Sequence, residues 1–106
     1  MSEIKSLIQD VKIIKKNQIF DDRGKIMHML RSDDSNFTKF GEIYFSFFNP
    51  KKIKAWHYHK IMTLNYVAVH GSIKLVLYDD RENSKTKGQF QEIFISEKSH
   101  YLVTVP

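Results

Sequence analysis

The chain has 106 residues, a formal net charge of +5 and no cysteine. This length predicts a single domain over residues 1–106, and the lack of cysteine excludes both a disulfide scaffold and a thiolate zinc site. Hydrophobic residues make up 42% and aromatic residues 13%, which excludes a disordered chain. No run approaches the roughly 18 apolar residues of a membrane span, and the N-terminus shows no signal-peptide pattern. We therefore expect a cytoplasmic domain with no membrane partner.

The positive charge predicts an attraction to anions. Lysines such as Lys12, Lys52 and Lys85 are scattered and form no long basic block. Nucleic-acid-binding domains concentrate basic residues in a denser stripe, so we expect no nucleic-acid partner. A site for a phosphorylated small molecule and a merely solvated lysine surface both remain open.

Short β-strands separated by turns are predicted along most of the chain. Aromatic and β-branched residues are enriched in these strands, and turn residues such as DDRG (21–24) separate them. The apolar segment 8–20 is predicted to end as a strand, and further strands are predicted over residues 25–31, 40–49, 53–59, 64–70, 73–79, 89–96 and 100–106. Their spacing is typical of an all-β sandwich or barrel. Because the last strand runs to the chain end, we expect either a longer natural domain or an edge supplied by another subunit.

Residues 54–71 (KAWHYHKIMTLNYVAVHG) place His57 and His59 two positions apart, so both imidazoles point to one face of a predicted strand. A metal site is one interpretation, although Leu64 stands where a His-x-His metal motif has its glutamate, and two ligands are fewer than a divalent metal needs. Proton transfer is a second, because imidazole titrates near neutral pH. A structural or surface role for both histidines is the third interpretation. Candidate partners for a proton-transferring histidine are Tyr44, Tyr58, Tyr66 and Asp79.

The remaining histidines, His28, His70 and His100, lie in no motif, and we expect structural or exposed roles for them. Asp79, Asp80 and Arg81 follow the clearest predicted strand. An acidic residue paired with arginine at a strand end commonly stabilises a turn, and we favour that role over catalysis.

Four stretches, in order, resemble the dTDP-4-dehydrorhamnose 3,5-epimerases and the related dTDP-sugar isomerases. IFDDRG (19–24) is similar to the family's Phe-x-Asp-x-Arg-Gly start, and EIYFSFFNPKKIKAWHYH (42–59) to its strand ending in Arg-Gly-Leu-His-Tyr-Gln. VAVHGSIKLVLYDDRENSKTKG (67–88) is similar to its run of Gly, strand, Asp-x-Arg and Ser-x-x-x-Gly. YLVTVP (101–106) is similar to the strand before its Pro-x-Gly-x-x-His-Gly segment.

This resemblance implies a cupin-type double-stranded β-helix, or jelly-roll barrel, whose C-terminal strands would lie beyond Pro106. It implies an epimerase that abstracts the proton alpha to the ketone of a dTDP-linked 4-keto-6-deoxyhexose in surface polysaccharide biosynthesis, with no metal or redox cofactor. It also implies a homodimer in which an arginine of the partner reaches the nucleotide.

The same resemblance assigns roles to individual residues. His57 falls on the catalytic base, Arg23 on an arginine that binds the diphosphate, and Lys54 on an arginine next to the base. Glu42 falls on a glutamine that lines the nucleotide site. His59 and Tyr44 are the candidates that return a proton, and Tyr66 is a candidate substrate contact.

The chain also departs from the family pattern. Leu64 stands at the position of the catalytic lysine, so an electrophile for the enolate oxygen is missing there. The family's tyrosine acid, a histidine and the aspartate partner of the base would lie beyond Pro106. HYHK (57–60) also resembles the His-x-His-Lys of the dTDP-sugar 3,4-ketoisomerases. That reaction, a non-catalytic nucleotide-sugar-binding module and a metal cupin with different chemistry are the alternatives.

Overall fold

The computed structural model describes residues 3–106, and this part of the chain contains eight β-strands and no helix. The strands are β1 (Glu3–Ile4), β2 (Lys12–Lys15), β3 (Gln18–Asp21), β4 (Gly24–Met27), β5 (Leu64–Tyr66), β6 (Ser72–Tyr78), β7 (Phe90–Ser96) and β8 (Tyr101–Val105). The all-β prediction is confirmed. Within residues 3–106 there is no helix that could cross a lipid bilayer.

A four-stranded antiparallel sheet in the order β1-β2-β8-β5 forms the centre of the molecule, and β3–β4 and β6–β7 form separate two-stranded sheets. Strand β8 lies between β2 and β5, with Ile13 and Tyr66 both opposite Val103. Because β8 is paired along both edges and covered on both faces, Leu102 and Val103 are fully buried.

The core lies between this sheet and the β6–β7 hairpin. Along β7, Ile93 and Ile95 are buried whereas Glu92 and Phe94 are exposed, which is the alternation of a strand with one covered face. The buried apolar cluster consists of Ile8, Val11, Ile13, Ala68, Ile93, Ile95 and Val103.

Hydrogen bonds attach the irregular segment after β4 to the rest of the fold. Asn36 donates to the Thr104 hydroxyl at 3.0 Å, and that hydroxyl donates to Asn65 at 2.7 Å. A ring nitrogen of His100, which is buried, bonds the carbonyl of His28. The structural role expected for His100 is therefore confirmed.

The loop after β6 is organised by the buried carboxylate of Asp79. It accepts hydrogen bonds from Arg81 at 2.9 Å, Ser84 at 2.5 Å and Thr86 at 2.6 Å. These donors, the guanidinium of Arg81 first, hold the pKa of the Asp79 carboxyl well below its usual range, although burial opposes the shift. Arg81 also donates to the carbonyl of Gln9 at 2.6 Å, which ties the loop to the N-terminal segment. The predicted turn-stabilising ion pair of Asp79 and Arg81 is confirmed.

The strands predicted over residues 40–49 and 53–59 are wrong for the single chain. Residues 38–63, which we call the exposed segment, contain no strand, and every residue in them is exposed. Their composition favours strands, but a strand is stable only beside another strand that satisfies its backbone groups. Within residues 3–106, the exposed segment has no such partner.

Candidate functional site

His57 and His59 lie on the exposed segment, between the turn at residues 49–52 and strand β5. Their neighbour Trp56 is 65% exposed. Two clefts, of about 320 and 300 Å³, lie elsewhere, one beside Lys16 and the other beside Arg81. A single chain thus presents His57 at its surface, and a closed reaction site around it requires a further covering element.

Lys54 holds the turn from which the histidines extend. Its ammonium donates to the Ser46 hydroxyl at 3.0 Å and to the Phe47 carbonyl at 2.8 Å, and it lies 4.6 Å from the centre of the Phe48 ring. Two of its three donors are therefore used inside the turn. The third donor makes no hydrogen bond within the described residues 3–106.

Tyr44 and Tyr66 are 22 residues apart in the sequence but close enough for Tyr44 to affect the pKa of the Tyr66 phenol. Tyr66 is half-buried on β5, and burial raises the pKa of its phenol, with a smaller contribution from Tyr44. Tyr66 therefore stays protonated at neutral pH and can donate a hydrogen bond or a proton. Both tyrosines were predicted as site residues.

Arg23 occupies the tight turn between β3 and β4, where it is paired with Asp21 at 2.7 Å and its side chain is 86% exposed. The Arg23 side-chain hydrogen bond lowers the pKa of the Asp21 carboxyl. Glu42 lies on the exposed segment. Within the described part of the chain, no hydrogen bond or ion pair connects Arg23 or Glu42 to His57, so the single chain does not assemble these predicted residues into one site.

The histidine pair has no third metal ligand beside it among residues 3–106. No group of three His, Cys, Asp or Glu side chains in that range is close enough to hold a metal ion. Leu64, at the glutamate position of the metal motif, lies on β5 opposite Val105.

Sequence reasoning missed the cleft beside Lys16. Lys16 is buried and paired with Asp34 at 3.1 Å, and Arg31 at the same cleft is paired with Asp33 at 2.9 Å. The adjacent carboxylates Asp33 and Asp34 in a predicted loop were the available signal, because a buried lysine needs such a partner. Each of the two cations is therefore already paired with a carboxylate.

Comparison with known proteins identifies the family to which this chain belongs. The model of the dTDP-4-dehydrorhamnose 3,5-epimerase family matches residues 5–106. The chain belongs to this family, as the resemblance had implied.

Individual relatives agree with that assignment. The chain is 35% identical over 100 residues to the spore coat polysaccharide biosynthesis protein SpsL of Bacillus subtilis, covering 94% of this chain and 66% of SpsL. It is 31% identical over 101 residues to a protein of Haloferax volcanii described as "Probable low-salt glycan biosynthesis epimerase Agl13", covering 93% of this chain and 65% of Agl13. The chain thus spans just under two thirds of the length of both relatives.

Solved structures confirm the fold. The crystal structure of a dTDP sugar isomerase from Desulfovibrio desulfuricans superposes with a TM-score of 0.93 at 36% identity, over 97% of this chain and 66% of that one. The dTDP-4-dehydrorhamnose 3,5-epimerase of Elizabethkingia anophelis shares the fold with a TM-score of 0.58 at 16% identity, over 100% of this chain and 62% of that one. The predicted cupin-type jelly-roll class is therefore confirmed.

Proposed function

We propose that this chain is a nucleotide-sugar epimerase of surface polysaccharide biosynthesis, acting on a dTDP-linked 4-keto-6-deoxyhexose. The observation that carries the proposal is the family match over residues 5–106. The assignment of His57 as the catalytic base is part of the proposal and is supported by the resemblance of residues 42–59 to the family's strand ending in Arg-Gly-Leu-His-Tyr-Gln. The names of SpsL and Agl13, which refer to polysaccharide and glycan biosynthesis, support the same assignment.

The reaction uses the acidity of a C–H bond beside a ketone. The imidazole of His57 takes the proton, and the electron pair of the broken bond moves into the enolate. His59 or the phenol of Tyr44 then returns a proton to the same carbon, and delivery to the opposite face inverts the stereocentre. Such proton transfers need a group that titrates near neutral pH, and histidine meets this requirement.

The enolate oxygen requires a donor other than the residue at position 64, because Leu64 has no polar group. The Tyr44 phenol and the free third donor of Lys54 are the candidates, and either would offset the developing negative charge. In this proposal Arg23 pairs with the diphosphate, Glu42 lines the nucleotide site, and Tyr66 contacts the substrate. The reaction needs no metal.

We also propose that the chain works in the cytoplasm as a homodimer. Lack of cysteine suits a reducing compartment. Edge strand β5 and the exposed segment both offer surface that a second subunit would cover.

A 3,4-ketoisomerase is the second candidate, because His57 and His59 lie together in HYHK and Leu64 replaces the lysine. Two histidines on one segment would pass a proton between neighbouring carbons. The epimerase is favoured because the YDDRENSKTKG loop (78–88) matches the epimerase pattern.

Solvent deuterium exchange tests the proposal. The protein is incubated in D₂O with a dTDP-4-keto-6-deoxyhexose and a chelator, and nuclear magnetic resonance locates the deuterium. We expect exchange at the carbons flanking the ketone, at a rate that the chelator does not change and that His57→Ala lowers about 10²–10⁴-fold. His70→Ala, outside the exposed segment, is the matched control and should keep the wild-type rate.

The other outcomes separate the alternatives. Migration of the ketone to the neighbouring carbon would identify the ketoisomerase. Binding of the nucleotide sugar with no exchange above the protein-free background would identify a non-catalytic binding module, and loss of exchange in the chelator would identify a metal-dependent enzyme.

A further inference from the structure

The cleft beside Lys16 is built around a buried ammonium whose hydrogen-bonding capacity is only partly used. The Lys16 side chain is 4% exposed, lines the cleft, and donates from its Nζ to Asp34 at 3.1 Å. An ammonium has three N–H donors, and within residues 3–106 this one has no second acceptor. Because a buried donor without an acceptor costs free energy, the two remaining donors need an acceptor that enters the cleft.

Arg31 supplies a second, partly used cation at the same cleft. Its Nε and Nη2 donate to the two carboxylate oxygens of Asp33 at 2.9 and 3.0 Å, so three of the five guanidinium donors have no acceptor in the described part of the chain. Few acceptors are left, because the Oδ2 of Asp34 accepts from both Lys16 and the backbone N–H of Arg31. Among residues 3–106, the Oδ1 of Asp34 is the one carboxylate oxygen of the cleft that accepts no hydrogen bond.

This surplus of donors determines the chemistry of a fitting ligand. Because the charges of Lys16 and Arg31 are offset by two carboxylates, hydrogen bonding rather than net charge decides what binds. An oxyanion offers several acceptors at once, and its hydrogen bonds to cations are roughly twice as strong as neutral ones. The backbone N–H of Arg31, and then Lys16, lower the pKa of the Asp34 carboxyl, so its Oδ1 remains an acceptor that the ligand must satisfy. A phosphate that keeps one proton meets both requirements, whereas sulfate has no proton to donate.

The cleft lies apart from the residues assigned to the substrate. Asn17 and His28 also line it, and they flank the open end of the β3–β4 hairpin, whereas Arg23 lies in the turn at the closed end. The four strand residues between these ends span about 13 Å at 3.3 Å per residue. No residue of the exposed segment, which carries His57, lines the cleft. A ligand bound here is therefore additional to the proposed nucleotide sugar.

We propose that this cleft binds a phosphate group that retains one proton, either as free phosphate or as a phosphate monoester. Lys16 and Arg31 donate to its oxygens, and its hydroxyl donates to the Oδ1 of Asp34. Lys16 directly follows β2, and Arg31 and Asp34 belong to the irregular segment after β4, so the bound phosphate joins the two and stabilises the fold. The cleft volume of about 320 Å³ accommodates the phosphate with an attached group or with water. This inference does not rest on the proposed epimerase function.

Phosphorus nuclear magnetic resonance and thermal unfolding of the full chain test the site. The probes are inorganic phosphate and glucose 6-phosphate at about pH 5.5, below the second pKa of a monoester, which is about 6. We expect saturable broadening of the phosphorus signal, and a melting temperature raised by about 4 °C or more at tenfold excess over the dissociation constant. The probe that binds more tightly identifies the source of the phosphate group. Sulfate at equal ionic strength should bind at least tenfold more weakly than phosphate.

Matched variants locate the site. Arg31→Gln removes donors from a side chain that is 66% exposed and should weaken phosphate binding at least tenfold in a folded chain. Lys87→Gln makes the comparable change at a cation that is paired with Glu82 at 3.1 Å and does not line the cleft, so the affinity should not change. A general salt effect on stability would be the same in both variants. Lys16→Met should also lose binding, but Arg31→Gln decides because the buried change lowers stability by itself.

Three results would overturn the inference. They are the absence of saturable phosphate binding to the wild-type chain, equal affinities for sulfate and phosphate, and equal phosphate affinities of the wild type and Arg31→Gln. Each of them leaves the proposed epimerase function standing, because none of these measurements involves deuterium exchange into the keto sugar.

Discussion

Strand β8 and the exposed segment have similar compositions but opposite environments. YLVTV (101–105) is paired along both edges, and Leu102 and Val103 have no accessible surface. FGEIYFSFFN (40–49) is also rich in aromatic and β-branched residues, yet it forms no strand and Phe47 is largely exposed. The difference shows that strand composition is not sufficient, because a strand also requires a neighbour for its backbone groups. The buried contacts that stabilise the fold lie among strands β1–β8 and the loops that join them outside the exposed segment, which we call the paired region. Most of the residues proposed to act in catalysis lie in the exposed segment.

Truncating a buried residue of the paired region should have the largest effect on stability. Leu102→Ala removes a fully buried side chain of β8 and should lower the free energy of unfolding by about 2–5 kcal/mol, measured by urea denaturation. Ile61→Ala makes the same kind of change in the exposed segment, and for the dilute chain it should cost less than about 0.5 kcal/mol. Equal costs for both would show that the two regions do not differ in the way described.

The next largest effect on stability should come from Asp79, the buried carboxylate of the loop after β6. Asp79→Asn keeps the shape of the side chain but removes the charge that Arg81, Ser84 and Thr86 bond. We expect a loss of about 2–4 kcal/mol, because asparagine keeps only one acceptor oxygen and places an NH2 donor against the remaining donors. Asp80→Asn, at an exposed neighbouring carboxylate, should cost less than about 1 kcal/mol. A smaller loss for Asp79→Asn than for Asp80→Asn would refute the role of the buried carboxylate.

The smallest of the stability effects is a dependence on pH. Because the pKa of Asp79 is lowered in the folded chain, its contribution is fully present above the ordinary value of 3.8 and is lost as the pH falls further. The melting temperature should therefore drop between about pH 5 and pH 2. Asp79→Asn should show a shallower drop over this range. Superimposable curves for the two proteins would contradict the assignment.

Much of the paired region could be predicted from the sequence. The strands expected at 73–79, 89–96 and 100–106 correspond to Ser72–Tyr78, Phe90–Ser96 and Tyr101–Val105. Their alternation and turn residues are local signals. The ion pair of Asp79 and Arg81 was also predictable, since the two residues are adjacent to the same turn.

The exposed segment could not be predicted in the same way. Its composition matches that of a strand, but the pairing that makes a strand depends on residues distant in sequence or on another chain. Two other features likewise depend on how the chain folds. They are the effect of Tyr44 on the pKa of Tyr66 and the hydrogen bonds that Lys54 donates to Ser46 and Phe47. The resemblance implies that His57 is the base, but it carries no information about which element covers that histidine.

The most direct test of the account measures deuterium exchange and melting temperature on the same samples of wild type and His57→Ala. Because His57 lies on the exposed segment, its removal should leave the melting temperature within about 2 °C while lowering exchange into the keto sugar about 10²–10⁴-fold. An unchanged exchange rate in a folded His57→Ala variant would contradict the assignment of this imidazole as the base.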